Sequence, residues 1–168
     1  MTSMTEANKS PRNVSIANAV AALDFPKGDV RTLFLLMDTT AFKIPGGDLS
    51  VAFLTADEMC RIHGKFLEND TLTDVITFPG DPAMHFAGEI CVSPDCALAY
   101  HGEHGMTFSE ELSLYLIHGY LHLFGLNDTS EKETVEMRAV ENFCLSLLKT
   151  SDSLPKFSYL PPAALKKS

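Results

Sequence analysis

The chain has 168 residues, a formal net charge of −9 and an apolar fraction of 45%. That length suits one domain with a core of its own, and no apolar run approaches the roughly 20 residues that cross a bilayer. The polar opening MTSMTEANKSPRN lacks the apolar centre of a secretory leader, and the acidic balance argues against a broad basic face for nucleic acid while leaving room for a local one.

Residues 1–12 are expected to form a disordered tail, and 13–18 read as a short strand. Asp29 opens a helical run to Met37, with Val30, Leu33, Phe34 and Met37 at helical spacing. Ile44-Pro45-Gly46-Gly47-Asp48 is a turn. Leu49 to Leu54 is mostly apolar and reads as a central strand. Thr55 and Glu58 fit a capping box, opening a helix to about Leu67. Thr73 to Phe78 is β-rich and is expected to stop at Pro79-Gly80. Gly88 to Ser93 is another strand. Ser93-Pro94 then supplies an N-cap followed by proline at the first helical position. Thr107 and Glu110 form a second box, opening a long helix from Phe108 to Phe124 that Gly125 closes. Ser130 and Glu133 form a third, opening a final helix with Met137, Val140, Phe143, Cys144, Leu147 and Leu148 as its apolar stripe. Residues 151–168, with three prolines and three lysines, are expected as a poorly ordered extension.

This order predicts one α+β domain over residues 13–150. Its helices pack on a mixed four-stranded sheet, in which the connection between the last two strands is compatible with a long hairpin and at least one pair is expected to be antiparallel. Cys60, Cys91, Cys96 and Cys144 are scattered in apolar contexts without a C-x-x-C pair. They read as reduced, buried thiols of a cytosolic protein.

The chemistry concentrates between Ile117 and Asp128. His118 and His122 stand four apart on the long helix, one turn above each other. Two imidazoles so placed can share one cation. Zinc also asks for further N or O ligands. Gly125 can take positive φ and reverse the chain, which returns Asp128 towards the two rings. The pattern H-x-x-x-H-x-x-G-x-x-D therefore predicts a zinc site of His118, His122 and Asp128, with its fourth position open to water. Two buried imidazoles without partners would otherwise cost roughly 1–3 kcal/mol each. Zinc peptidases carry a glutamate beside the first histidine as general base. Here that residue is Gly119, which cannot take a proton.

The motifs resemble those of the YbeY family, bacterial zinc-dependent endoribonucleases of ribosomal RNA maturation and ribosome quality control. His118, Gly119, His122 and Gly125 match its H-G-x-x-H-x-x-G-x-D-H signature. Thr73 to Pro79 resembles its T-D-V-L-S-F-P segment. Gly88-Glu89-Ile90 with Val92-Ser93-Pro94 resembles its G-D-I-x-I-S-P strand, and Glu136 to Glu141 is similar to its last helix. An ungapped match puts Asp128 at the family's third histidine and Asn127 at its aspartate. A shift by one residue would put Thr129 at the ligand position instead. The ungapped register is preferred because a carboxylate can bind zinc.

The resemblance implies single-stranded ribosomal RNA as substrate, maturation of the small-subunit 3′ end, ribosomal or assembly-protein partners, a cytoplasmic location and no membrane. A zinc-containing assembly factor without turnover is the alternative. The family often carries an arginine upstream of T-D-V, where this chain has Leu67. Glu89 and Asp74, in matched segments, are the candidates for a general base. Arg61 and Lys65, four apart on one helix face, are the candidates for RNA contact, with Lys156, Lys166 and Lys167 as further positive charge. His101 and His104 read as polar loop surface.

Overall fold

A computed structural model describes residues 11–67 and 73–160, apart from the side chains of 66 and 67. In chain order it contains β1 (Val14–Asn18), β2 (Leu23–Asp24), α1 (Lys27–Met37), β3 (Asp48–Phe53), α2 (Ala56–Leu67) and β4 (Val75–Asp81). A short 3-10 turn over Pro82–Met84 follows. Then come β5 (Phe86–Val92), α3 (Pro94–Tyr100), α4 (Phe108–Phe124), α5 (Glu131–Thr150) and β6 (Ser158–Tyr159). The main sheet runs β1-β3-β5-β4. The pairs β1–β3 and β3–β5 are parallel, and β4–β5 is an antiparallel hairpin. The predicted mixed four-stranded sheet is present, with a two-stranded β2–β6 ribbon added to it.

Strand periodicity divides the interior into two layers. Leu49, Val51 and Phe53 of β3, with Ile90 and Val92 of β5, face the large core built from α1, α4 and α5. The alternate residues Ala52, Ile76 and Cys91 face the other way, onto Met59 of α2. Each large apolar side chain buried in this way contributes about 1.5–3 kcal/mol. The cysteines are all free. Burial, with the charge of Glu89, pushes the Cys91 thiol up to about 12, and burial beside Glu141 pushes Cys144 to about 11.

Four sequence expectations need correction. The strand over 73–78 does not stop at Pro79-Gly80. β4 continues to Asp81, with Pro79 opposite Gly88. β4 lies at the sheet edge, where a residue without an N–H breaks no ladder. Arg12 does not belong to a tail. Its side chain is 4% exposed, pairs with Asp38 at 2.9 Å and donates to the carbonyls of Ile44, Pro45 and Gly47. Residues 151–160 are not a loose extension either. Phe157 is buried against Phe25 and Phe53, β6 pairs with β2, and the Tyr159 hydroxyl donates to Asp95 at 2.7 Å. Residues 1–10 and 161–168, with Lys166 and Lys167, lie outside the described residues. The third capping box is half formed. Ser130 accepts from the Glu133 N–H, but the Glu133 carboxylate takes the N–H of Thr129 rather than that of Ser130.

The long helix α4 is held from both sides. Thr107 and Glu110 make the complete capping box at its start. In its middle the Tyr120 hydroxyl, fully buried, donates to Asp38 at 2.6 Å and accepts from the Ile44 N–H at 3.2 Å. Arg12, Asp38 and Tyr120 thus tie the first strand, the end of α1 and α4 together. Opposite, Gly119 lies flat on the sheet. A Cβ there would stand 2.5 Å from Ile90 Cγ2.

Two stability predictions result. Arg12→Ala leaves Asp38 and three carbonyls short of donors and should cost about 2–4 kcal/mol in chemical denaturation. Gly119→Ala must push α4 off Ile90 and should cost about 1–3 kcal/mol in the same assay.

Candidate metal centre

The site is assembled by one helix end, the turn after it and the helix that follows. Gly125 closes α4 in the left-handed region at φ 116°, with its N–H donating to the carbonyls of Leu121 and His122. The reversal brings the Leu126 carbonyl back under His122, where it accepts from Nδ1 at 2.9 Å. Two residues on, the Asp128 carbonyl accepts from the Thr134 hydroxyl of α5 at 3.1 Å. From α5 the Glu141 carboxylate accepts from His118 Nδ1 at 2.5 Å.

These partners decide the chemistry of both rings. A carbonyl and a carboxylate can only accept, so both Nδ1 atoms carry the proton. In the neutral imidazoles both Nε2 atoms are then bare lone pairs. They face each other at 2.9 Å, with Asp128 Oδ2 at 3.4 Å from His118 Nε2 and 3.6 Å from His122 Nε2. Three acceptors converging on one point repel unless a cation lies between them. The edges of a tetrahedron with bonds of about 2.0–2.1 Å would measure about 3.3 Å, so the donor set and its spacing fit a tetrahedral divalent metal. Among the described residues, His118, His122 and Asp128 are the group able to hold a metal ion.

The electrostatics agree. Burial pulls the His118 imidazole down. The Glu141 hydrogen bond and the charges of Glu141, Asp128 and Asp74 outweigh this and hold it above its ordinary value. Carboxylates that favour a proton on this nitrogen favour a metal there for the same reason. The site opens on one side into a cleft of about 410 Å³, lined also by Asp74, His104, Glu111 and Arg138.

The structure sorts the other sequence candidates. Asp74 stands in the cleft, with one carboxylate oxygen taking the N–H of Val75. Glu89 does not reach the site. It shares the strand face of Cys91, which looks onto α2, whereas its neighbour Ile90 faces α4. Period-two alternation therefore removes Glu89 as a base for this centre. Arg61 and Lys65 are exposed on α2, the helix on that far side of the sheet. The side chain of Leu67 lies outside the described residues, and Lys156 is exposed on the segment before β6. The Thr129 hydroxyl donates to Glu133, so the carboxylate of Asp128 is the group that faces the histidines.

Sequence reasoning missed Glu141. It falls on the buried stripe Met137, Cys144, Leu148 of α5, and a carboxylate in an apolar stripe was the available signal. His104 was read as idle loop surface. Its Nδ1 instead lies 2.7 Å from Glu111, a carboxylate of α4 only 1% exposed.

These features define a class: an α+β domain whose central helix offers two histidines, and the following turn one carboxylate, to a metal at the foot of an open cleft. Comparison with known proteins narrows it. The family model for endoribonuclease YbeY matches residues 29–149. The endoribonuclease YbeY of Chlamydia pneumoniae is 35% identical over 120 residues, covering 67% of this chain and 76% of that one. The endoribonuclease YbeY of Chlamydia abortus is 28% identical over 154 residues, covering 87% and 97%. The fold is similar to a solution structure of a Thermotoga maritima protein, with a TM-score of 0.55 at 24% identity, over 83% of this chain and 94% of that one. The chain belongs to the endoribonuclease YbeY family.

Partners of metal-bound histidines typically change metal affinity 10–100-fold when removed. Glu141→Gln should therefore weaken metal binding within that range, read by competition with a chromophoric chelator, while the thermal melt of the metal-free protein moves little.

Proposed function

We propose that this chain is a zinc-dependent endoribonuclease specific for single-stranded RNA. Its proposed role is maturation of the small-subunit ribosomal RNA 3′ end and ribosome quality control, in the cytoplasm and in contact with the small subunit or its assembly proteins. One observation carries this reading: His118 Nε2, His122 Nε2 and Asp128 Oδ2 meet at one point, with His118 and Asp128 on the lining of a solvent-open cleft. The family name and the preserved H-G-x-x-H-x-x-G segment support the choice of RNA. Among the described residues no helix is long and apolar enough to cross a membrane.

Zinc suits two imidazole nitrogens and one carboxylate oxygen, and the carboxylate also admits a harder cation such as manganese. When bound, the metal would polarise a phosphate oxygen or a water in the cleft. The chain's own residues do the rest. Glu141 and the Leu126 carbonyl keep both Nε2 atoms aimed at the point they share with Asp128. Asp128 cancels one positive charge, which favours a higher working pH than three neutral ligands would. Gly119 offers no proton acceptor and no space for one, which weighs against peptide hydrolysis.

The test uses purified chain with single-stranded RNA, with and without a chelator, beside metal analysis of His122→Ala and Asp128→His. Cleavage should stop on chelation and return with zinc. His122→Ala should lose most of its metal. Asp128→His should hold zinc more tightly, since imidazole is the softer donor, and work at lower pH, because a neutral third ligand leaves the cation its full charge. Cleavage that survives metal removal would overturn the enzymatic reading, and unchanged zinc affinity in Asp128→His would remove Asp128 from the ligand set.

A further inference from the structure

Four carboxylates, those of Asp74, Glu111, Asp128 and Glu141, line the cleft that holds the metal group. Counted with a divalent cation they leave two negative charges, a poor setting for a phosphodiester. The lining contains one permanent cation, Arg138 of α5. Its position follows from helix geometry. Thr134, Arg138 and Glu141 stand four and three residues apart, on one face of α5. Thr134 holds the Asp128 backbone and Glu141 holds His118. Arg138 therefore lies between the two residues that brace the metal ligands, one turn from each. It is exposed, and among the described residues it makes no ion pair or hydrogen bond. Several charges elsewhere in the fold, and one in the cleft, already have partners. Arg12 is paired with Asp38, Lys149 with Glu110, and Glu141 with His118.

We infer that Arg138 is the phosphate-binding residue of this cleft, gripping the RNA backbone beside the metal through its guanidinium fork. The inference rests on the endoribonuclease reading and adds to it the contact that recruits the substrate. A planar guanidinium matches two phosphate oxygens at once, which a lysine ammonium cannot do. The cleft then reads the sugar–phosphate backbone rather than a base, since backbone contact carries no sequence information.

The experiment uses the full metal-loaded chain and a labelled single-stranded RNA oligonucleotide. Binding by anisotropy and cleavage by gel are each followed across a salt series for wild type, Arg138→Ala, Arg138→Lys and Lys132→Ala. Lys132 lies on the same helix but outside the cleft lining, so it controls for loss of one positive charge. Arg138→Ala should weaken binding roughly tenfold at low salt. It should lower the steepness of the log–log salt plot by about 0.7, the value for one phosphate contact on a single strand. The loss should appear mainly in KM, with metal content and thermal melt unchanged. Arg138→Lys should recover the salt slope and only part of the affinity, and Lys132→Ala should match wild type. If wild type binds and cuts while Arg138→Ala shows the same KM and slope, the inference fails and the enzymatic reading stands. An equal effect from Lys132→Ala, or metal loss in Arg138→Ala, overturns it as well. If metal-loaded wild type neither binds nor cuts the RNA, the enzymatic reading fails and takes this one with it.

Discussion

Two hydrogen bonds on the back of the imidazoles govern this site. Glu141 takes the proton of His118 Nδ1, and the Leu126 carbonyl takes that of His122 Nδ1. Each bond fixes a tautomer, and together they force two lone pairs to within 2.9 Å. Such an arrangement is unfavourable in isolation and persists only where the surrounding structure holds it or a cation relieves it. The fold supplies the hold. α4 is capped by its own box, pinned by Tyr120 to Asp38 and pressed through Gly119 onto Ile90. The rings have little room to swing apart, because the helix that carries them cannot shift.

The turn at Gly125 and the start of α5 make a second unit that closes on the first. Positive φ at Gly125 reverses the chain within a few residues, and Ser130 caps α5 soon after. The short path means that one α5 face serves both sides of the metal: Thr134 steadies the Asp128 backbone, and Glu141 steadies His118 one helical stretch later. The pieces depend on one another. Loss of the α5 register would release the carboxylate and the ring together, so metal affinity and the packing of α5 are linked quantities.

Much of this was legible in the chain. Caps are local chemistry, and the boxes at Thr55 and Thr107 place the starts of α2 and α4 because their partners lie three residues away. The convergence of 118, 122 and 128 on a point that could hold a metal ion was legible for the same reason, since helical periodicity and one glycine bring the three together. What escaped depends on long-range contact. Arg12 pairs with a residue 26 positions on, and Tyr159 with one 64 positions back, so composition alone made both termini look loose. Glu89 and Glu141 show the same limit at the site. Glu89 lies in a recognisable motif yet faces away, because parity along β5 is set by which layer packs on it. Glu141 closes the segment that resembles the family's last helix, but its role comes from tertiary contact: it reaches His118 because α5 packs on α4.

The acidic character of the cleft bears on how the phosphate is handled. Glu141 is committed to His118, Glu111 to His104, and one oxygen of Asp74 to its own strand. Asp128 faces the metal position. The two histidines, Asp128 and their hydrogen-bond partners are thus arranged to hold a cation in fixed geometry. In many enzymes most of the rate enhancement comes from preorganised groups that stabilise developing charge, and this geometry favours that route. The same reasoning accounts for a local remedy in a chain of net charge −9. Adding basic residues broadly would act at a distance and be screened within about 8 Å at physiological salt. One guanidinium on the cleft lining, between the two residues that brace the histidine and the aspartate, acts locally, where screening is weaker.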